Sequence, residues 1–373
     1  MFVTEIGAQK MTSRIVPASF FVTLTLFFVS SICVAQQAAA PYQLSVFATA
    51  PAGLSAPDSV AVLGDRVFVG YGDNHLPDGS DGLNSQVVEY KMDGSLVHIY
   101  TVHGHNDGIK IDPVTHKVWA LQNEDANPNL VIIDPKSQQQ KKFTFGPTPH
   151  GGGYDDIVFR GCDVFISASN PANNPNTGPA IVQVQLKGDM AEVSPVLAGT
   201  ANAIDITTGM SIQLNLQDPD SMTLDPYGDL VLDSQADQEL IIVTNPGTSQ
   251  QQAIKVPLSF QTSGGLQAVE TDDTNFATSS QGLILFADKG LNKVFVLQKT
   301  VFAPGEAYTA ADGGPFVGTV DLSTGIITPV VTGLQGPGGL VFVDTSGHPV
   351  DNGGAVVQSN QRDGRACRSM NSR

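Results

Sequence analysis

The stretch NDGIKIDPVTHKVWALQNEDANPNLVIIDP, residues 106–135, recurs in altered form as PDSMTLDPYGDLVLDSQADQELIIVTNP, residues 219–246. Both copies run from an apolar strand through an Asp-Pro turn to a second apolar strand, then through a polar loop to a third. From Asp107 to Val118 the copies match without a gap at an offset of 113 residues. A supersecondary unit that recurs in one chain is typical of repeat architectures, in which similar units stack on one another.

Strand patterns dominate the chain. Short runs rich in Val, Ile, Leu and Phe, broken by Gly, Asp, Asn and Pro, predict strands. These runs cover residues 66–70, 86–90, 117–121, 163–167, 181–186, 229–232, 240–244, 283–287 and 293–297. Convincing amphipathic helices are absent from the pattern, so the predicted fold class is all-β.

A recurrent opening motif marks the start of each unit: a Pro, Gly or Asn, then Asp or Gly, then an alternating apolar strand. The motif occurs at residues 57–60, 106–109, 154–157, 219–222, 265–268 and 337–340. Six openings at spacings of roughly 50 to 70 residues predict a six-bladed β-propeller of four-stranded sheets. Seven blades are the alternative if the long third or fifth unit contains two sheets. Residues 298–315 in the fifth unit are predicted to be an insertion.

Closure of the propeller requires the two ends of the chain to share a sheet. Too few strands follow the sixth opening, namely residues 339–343 and the weaker 354–358. The alternating segment YQLSVFAT, residues 42–49, is therefore predicted to complete the last blade from the N-terminal side. The propeller is assigned to residues 36–359, and the polar residues 360–373 are predicted to be a disordered tail.

A family resemblance follows from these motifs. Residues 219–243 resemble an NHL-type repeat, and the pattern over residues 42–343 resembles the six-bladed propellers that include the SMP-30 and gluconolactonase-like proteins. NHL-type repeats imply a binding surface, whereas the lactonase-like relatives imply a divalent metal held at the propeller centre by Glu, Asn and Asp side chains. Asn106-Asp107-Gly108 matches one opening of that family in part, and Ala56-Pro57-Asp58 stands where its first blade usually carries a Glu.

The acidic residues of the opening motifs are candidate metal ligands. If the opening strands are innermost, Asp58, Asp107, Asp156 and Asp220 converge at one mouth of the central channel, with Asp155 as the alternative to its neighbour. A ring of carboxylates is a hard-oxygen site suited to Ca²⁺ or another divalent cation such as Mg²⁺. The alternative role for each Asp is to accept backbone N–H bonds and fix a turn.

Histidines near two opening motifs are candidate catalytic residues. His105 precedes the second opening, with His103 beside it, and His150 precedes the third. Imidazoles placed near the acidic ring would ligate a transition metal or exchange protons near neutral pH. Solvation or hydrogen bonding to the backbone is the alternative role for such loop histidines. No nucleotide-type cofactor is expected, because the chain lacks the dinucleotide glycine fingerprint and the P-loop.

The N-terminus has the pattern of a secretory signal. Lys10 and Arg14 precede an apolar run over residues 20–34, and Cys33-Val34-Ala35 supplies small residues for cleavage. The sequence predicts removal of residues 1–35 and a location in the periplasm or outside the cell. An uncleaved anchor is the alternative, although the run of about 15 residues is shorter than the roughly 20 that span a bilayer. Met11 is an alternative start.

Charge and cysteine content limit the partners. Removing Glu5, Lys10 and Arg14 with the signal changes the formal charge from −17 to −18. Such an acidic surface repels nucleic acids and anionic membranes, so a cation, a small molecule or a protein is the expected ligand of a monomeric protein. Cys162 and Cys367 remain after cleavage, and an oxidising compartment permits a bond between them, but the sequence does not place them together.

The sequence favours a secreted β-propeller that acts as a binding or scaffold protein, with a ligand or protein site at the acidic mouth of the channel. The alternative is a metal-dependent, lactonase-like hydrolase or lyase with a central divalent cation. Whether the protein is an enzyme stays open at this point. The chain has no G-x-S-x-G nucleophile elbow and no H-E-x-x-H zinc helix.

Overall fold

A computed structural model of the chain describes residues 35–346, and within this range all regular structure is β-strand. The predictions for residues 1–34, for the weak strand at 354–358 and for the tail at 360–373 lie outside the described residues. The described part contains no helix that is long and apolar enough to cross a membrane. The predicted all-β class is confirmed.

The strands follow one another at short intervals. The first ten are β1 Gln37–Ala38, β2 Gln43–Thr49, β3 Pro57–Leu63, β4 Arg66–Tyr71, β5 Asn84–Lys91, β6 Leu96–His103, β7 Asn106–Ile111, β8 Val118–Gln122, β9 Asn129–Asp134 and β10 Gln139–Phe145. The next ten are β11 Ile157–Arg160, β12 Asp163–Ser167, β13 Pro179–Lys187, β14 Met190–Ala198, β15 Asn202–Asp205, β16 Ser211–Gln213, β17 Pro219–Leu224, β18 Leu230–Ser234, β19 Glu239–Thr244 and β20 Gln252–Pro257. The last nine are β21 Ser259–Thr262, β22 Gly265–Ala268, β23 Thr274–Phe276, β24 Gly282–Asp288, β25 Lys293–Gln298, β26 Ala307–Ala311, β27 Phe316–Asp321, β28 Ile326–Thr332 and β29 Pro337–Asp344.

Strand pairing within the described residues gives six four-stranded antiparallel sheets. Sheets 1 to 4 are β3–β6, β7–β10, β11–β14 and β17–β20; sheet 5 is β23-β26-β27-β28 and sheet 6 is β29-β24-β25-β2. The first strand of each sheet contacts the first strand of the next, in the closed circuit β3, β7, β11, β17, β23, β29 and back to β3. This closed circuit of inner strands is the arrangement of a β-propeller, with a channel along its axis.

Six apolar clusters hold the sheets together, one between each pair of neighbours around the circuit. Strand β8 shows how one strand serves two clusters. Val118 and Ala120 pack towards sheet 1, whereas Trp119 and Leu121 pack towards sheet 3. Because successive side chains of a strand point to opposite faces, a sheet packed on both faces must be apolar at every position. The continuous apolar runs in the sequence have this cause.

The repeat that defines the architecture differs by one residue in its turn. Val118 pairs with Ile111 in sheet 2, and Leu230 pairs with Leu224 in sheet 4, so Val118 corresponds to Leu230 and the gap-free match to residue 231 is wrong by one. Trp119 accordingly corresponds to Val231 rather than to Leu232. Trp119 is buried between the blades, where its ring meets that of Phe159 edge-on at 5.3 Å.

Sheets 5 and 6 exchange strands along the chain, which the sequence did not predict. The chain leaves sheet 5 after β23, forms β24 and β25 in sheet 6, returns for β26, β27 and β28, and ends with β29. Residues 283–287 and 293–297 therefore belong to sheet 6 rather than to the fifth unit. Residues 298–315, predicted to be an insertion, contain β26, the second strand of sheet 5. A sequence pattern identifies strands but not partners, and Thr274 pairs with Thr309 across both intervening strands.

The predicted closure is confirmed. Strand β2 pairs with β25 as the outermost strand of the sheet whose innermost strand is β29, so both ends of the described chain share sheet 6. The extra length of the third and fifth units forms two outer hairpins instead of a further blade. Hairpin β15–β16 extends sheet 4, and hairpin β21–β22 extends sheet 5.

The fifth opening motif was assigned to the wrong residues. Residues 265–268 form β22, an edge strand on the outside of sheet 5, with Leu266 exposed. The true inner strand is β23, and Asp272 and Asp273 immediately precede its first residue. The Gly265 motif resembled an opening because a hairpin turn and an inner-strand turn use the same residue types.

Cys162 lies in the turn between β11 and β12 and is disulfide-bonded. The other two cysteines of the sequence, Cys33 and Cys367, lie outside the described residues.

Candidate functional site: a carboxylate ring at one mouth of the channel

Five of the six inner strands bring an aspartate to the same mouth of the channel. These residues lie at the second position of β3, β7 and β17 and two residues before β11 and β23, and we call them the carboxylate ring: Asp58, Asp107, Asp155, Asp220 and Asp272. All inner strands of a propeller run in the same direction, so the first residues of each strand meet around the axis although they are far apart in sequence.

The ring is tightly packed on one side. Carboxylate oxygens of Asp107, Asp155 and Asp220 all lie within 4.8 Å of one another. The sixth position belongs to Gly338 at the start of β29. A Cβ atom added there would lie 2.5 Å from Oδ1 of Asp58, so sheet 6 has no room for a side chain in the ring.

Loops that follow the second strands reach the same mouth. Glu124 follows β8, and one of its carboxylate oxygens lies within 4.8 Å of ligand atoms of Asp107 and His105. Lys289 follows β24, with its Nζ 3.6 Å from Asp272 and 3.8 Å from Asp312. A second strand runs antiparallel to the first, so its end returns to the mouth at which the inner strand begins.

Lys289 divides the ring into two electrostatic halves. The charges of Asp58 and Asp272 raise the pKa of Lys289 above its usual range, so this side chain stays charged and partly neutralises those two carboxylates. The charge of Asp107 contributes less to the pKa shift of Lys289 than those of Asp58 and Asp272 do, and Asp155 contributes less to that of Lys110 than Asp156 and Asp273 do. The half of the ring away from Lys289 is therefore compensated less by nearby cations.

Burial and mutual repulsion favour the protonated form of most of these carboxyls. Burial raises the pKa of Asp155 well above its usual range, and the charges of Asp107 and Asp220 add to the shift. Burial and the charge of Asp107 raise the pKa of Asp58 and of Glu124 in the same direction. Carboxyls that crowd together out of water cannot all ionise unless a cation joins them.

Asp107 is the exception at the centre of the group. Burial opposes its ionisation, but hydrogen bonds from the carboxyls of Asp155, Asp58 and Glu124 outweigh burial and lower the pKa of Asp107. Without a cation, the site thus holds one carboxylate that accepts hydrogen bonds from protonated neighbours. Such a group loses protons when a cation binds.

Several polar atoms at the mouth have no hydrogen-bond partner in the protein. They are Oδ1 of Asp58, Oδ1 of Asp155 and Nδ1 of His105, all of them buried. Asp155 itself is 4% exposed, which makes its orphaned oxygen costly. Oxygen donors of this kind, placed together on three strands, fit a hard divalent cation.

Asp156 occupies a different level from the ring, which corrects the choice between the two neighbouring aspartates. Its Oδ2 accepts a bond from Nζ of Lys110 at 2.7 Å and from the backbone N–H of Met222 at 2.9 Å. Asp273 does the same for sheets 5 and 6, accepting the N–H of Leu340 at 2.8 Å. Burial raises the pKa of Asp273 to about 6, and this layer of Lys110, Asp156 and Asp273 links the sheets below the ring.

The candidate histidines separate into different environments. His105 lies beside Asp107 and Glu124. His150 belongs to neither candidate ligand group among the described residues; it is buried, its Nε2 lies 2.7 Å from the carbonyl oxygen of Gly153, and burial lowers its pKa. His103 is exposed and contacts Asn84. Hydrogen bonding to the backbone, the alternative role of a loop histidine, describes Nε2 of His150, whereas its buried Nδ1 has no partner.

The sequence patterns missed Glu124, Lys289 and Asp272 as members of the site. A signal for the first two was present, because both stand one or two residues after the second strand of a unit. The opening motifs alone do not point to that loop.

No protein-family model and no curated protein matches the chain. Among solved structures, a streptogramin B lyase is 12% identical, with 83% of this chain and 74% of that one covered and a TM-score of 0.41. A putative gluconolactonase is 12% identical, with coverages of 83% and 88% and a TM-score of 0.44. Virginiamycin B lyase from Staphylococcus aureus is 11% identical, with coverages of 75% and 85% and a TM-score of 0.43.

The gluconolactonase-like structure belongs to the group that the sequence pattern resembles. At these identities and TM-scores the likeness carries no argument about the chemistry of this chain. The propeller arrangement itself rests on the strand pairing and on the six apolar clusters between the sheets.

Proposed function

We propose that the protein is an exported β-propeller that binds a divalent cation, Ca²⁺ in the first place, at the carboxylate ring and uses the occupied mouth of the channel to bind a ligand. The observation that carries the proposal is the buried Asp155: its Oδ1 has no partner, and one of its carboxylate oxygens lies within 4.8 Å of oxygens of Asp107 and Asp220. A native interior rarely leaves a carboxylate oxygen unsatisfied, and a cation satisfies three of them at once.

The donor set favours a hard cation. Asp107, Asp155 and Asp220 would hold it on one side, with Asp58 and Glu124 next to Asp107 as further oxygen donors. Ca²⁺ accepts six to eight oxygens in irregular geometry, whereas Mg²⁺ demands a near-ideal octahedron. Ligands that come from separate strands fit Ca²⁺ better, because Ca²⁺ tolerates irregular geometry. His105, Asp107 and Glu124 are only partly buried, so the site opens to solvent on that side.

Titration calorimetry on chelator-treated protein tests the proposal with Ca²⁺, Mg²⁺ and Mn²⁺. We expect one Ca²⁺ site with a dissociation constant on the order of 10⁻⁵ to 10⁻³ M, the range of sensors and exported modules. Asp220→Asn should weaken binding at least tenfold, on the order expected when a charged partner is removed from a buried site. Asp189→Asn is the matched control, because Asp189 is exposed on the turn between β13 and β14. Absence of heat and of any thermal shift with all three cations would refute the site.

One observation favours a catalytic function for the same mouth as a second candidate. Nδ1 of His105 has no hydrogen-bond partner, and the imidazole of His105 lies beside Asp107 and Glu124. An imidazole so placed can accept or donate a proton at Nδ1 while Glu124 orients it. A bound divalent cation would supply Lewis-acid polarisation of a substrate oxygen. This is the chemistry of a hydrolase or lyase.

A screen for lactone hydrolysis and for lyase activity, with and without chelator, tests this second candidate. His105→Ala should retain calorimetric cation binding within severalfold yet lose most of the activity, by about 10²-fold or more for a general acid–base residue. Cation binding without any activity in the screen would leave the binding function and remove the catalytic one.

A further inference from the structure

A cavity lies at the other end of the channel, away from the carboxylate ring. Its volume is about 660 Å³, and its wall is mainly apolar, formed by the later residues of the inner strands. Phe159, Met222, Leu224, Phe276 and Phe342 line it from the apolar clusters between the sheets, where each is at most 6% exposed. A volume of several hundred cubic ångströms with an apolar wall and few polar groups is typical of small-molecule sites.

The order of residues along the inner strands shows where this cavity lies along the channel relative to the carboxylate ring. Lys110 lies three residues beyond Asp107 in β7, which is about 10 Å along a strand. Lys110 lines the cavity, whereas its strand neighbour Asp107 belongs to the ring. The layer of Lys110, Asp156 and Asp273 therefore separates the two sites and forms the inner end of the cavity.

Lys110 and Asn275 offer donors on the inner part of the cavity wall. The Nζ of Lys110 is bound to Asp156, but the side chain keeps 21% of its surface exposed. Asn275 uses its Oδ1 to accept the N–H groups of Phe276 and Phe342 at 3.1 and 3.3 Å, so its Nδ2 is the group that it offers to a ligand. The outer end carries the exposed residues Thr278 and Tyr227.

We propose that this cavity binds a neutral, mainly apolar small molecule whose single carbonyl or hydroxyl oxygen accepts hydrogen bonds from Lys110 and Asn275. The apolar wall takes the body of the molecule, and the two donors fix its polar end. This site is independent of the cation site, since it lies on the other side of the linking layer.

Charge excludes an anionic ligand from the same position. Asp156 already compensates Lys110 through a 2.7 Å ion pair, and Asp273 adds further negative potential at this layer. A carboxylate or sulfonate placed against Lys110 would therefore meet two carboxylates and only one ammonium. A neutral acceptor gains the hydrogen bond without that repulsion.

Fluorescence titration with two naphthalene dyes tests the proposal on the full-length protein. Prodan is neutral and carries one ketone oxygen, whereas anilinonaphthalene sulfonate is of similar size and anionic. We expect saturable Prodan binding, one dye per protein, with the blue shift of an apolar environment, and sulfonate binding weaker by about tenfold or more. Chelator should leave Prodan binding unchanged, which separates this site from the ring.

Substitution at the outer end locates the dye. Thr278→Trp places a large ring at the mouth of the cavity and should weaken Prodan binding about tenfold. Thr101→Trp is the matched control, because Thr101 is an exposed threonine on β6 that does not line the cavity. Both variants should melt close to the unmodified protein. Absence of saturable Prodan binding, equal affinity for the anionic dye, or unchanged affinity in Thr278→Trp would each overturn the proposal.

Discussion

Replacement of Asp155 by Asn should stabilise the cation-free protein and abolish its response to Ca²⁺. Oxygens of Asp155 and Asp107 lie within 4.8 Å of each other. At an effective dielectric constant of about 20, two unit charges 4.8 Å apart repel by about 3.5 kcal/mol, and closer charges repel more. Protonation of Asp155 relieves part of this repulsion, so we expect a gain in unfolding free energy of about 1 to 2 kcal/mol at pH 8.

Thermal unfolding in chelator and in excess Ca²⁺ measures both effects. At about 2 °C per kcal/mol, Asp155→Asn should melt about 2 to 4 °C above the unmodified protein in chelator. At a Ca²⁺ concentration 100 times the dissociation constant, the unmodified protein should gain about 2.7 kcal/mol and the variant little, so the order of stability reverses. Asp189→Asn should change neither value. A variant that melts lower in chelator, or still responds fully to Ca²⁺, would refute the reasoning.

Three further predictions concern pH and neighbouring residues. The ring carboxyls whose pKa is raised stabilise the cation-free fold below about pH 4, and this stabilisation is lost as the pH rises through their folded pKa values. The affinity for Ca²⁺ should increase over the same pH range, because the carboxyls must lose their protons before they bind the ion. Melting curves and calorimetric titrations at pH 5 and pH 8 measure these two opposite trends. His150→Ala should cost about 2 kcal/mol of unfolding free energy without weakening cation binding, since it empties a buried site and frees the carbonyl of Gly153. His105→Ala should leave the unfolding free energy nearly unchanged and keep cation binding within severalfold, and parallel melting and calorimetric assays compare the two variants. Asp156→Asn should cost about 3 to 5 kcal/mol in denaturant unfolding, because it leaves the ammonium of Lys110 without its partner and weakens the bond to Met222; a loss below 1 kcal/mol would contradict the assigned linking role.

The architecture was predictable because propeller sheets impose a regular sequence pattern. Each inner strand needs a turn before it and apolar residues on both faces, so five of the six inner strands were located from their opening motifs. The exchange of strands between sheets 5 and 6 was not predictable, because local patterns specify strand type while pairing depends on tertiary contacts. Strand β23 is only three residues long, so it shows no alternating pattern in the sequence. The sequence pattern therefore placed the fifth opening at the hairpin of Gly265 instead.

The ring was predictable in outline and not in detail. Convergence of Asp58, Asp107 and Asp220 follows from the common direction of the inner strands. The choice between Asp155 and Asp156 could not be made, because successive side chains point in different directions and a shift of one residue exchanges them. Glu124 and Lys289 enter from the ends of second strands, so their positions depend on where those strands end.

Diffraction from crystals grown with Mn²⁺ tests the central claim most directly, since anomalous scattering locates the ion without reference to the protein. The account predicts one strong peak among the carboxylate oxygens of Asp107, Asp155 and Asp220, lost in crystals of Asp155→Asn. The absence of an anomalous peak at this mouth of the channel at saturating Mn²⁺, or a peak only elsewhere on the acidic surface, would contradict this prediction.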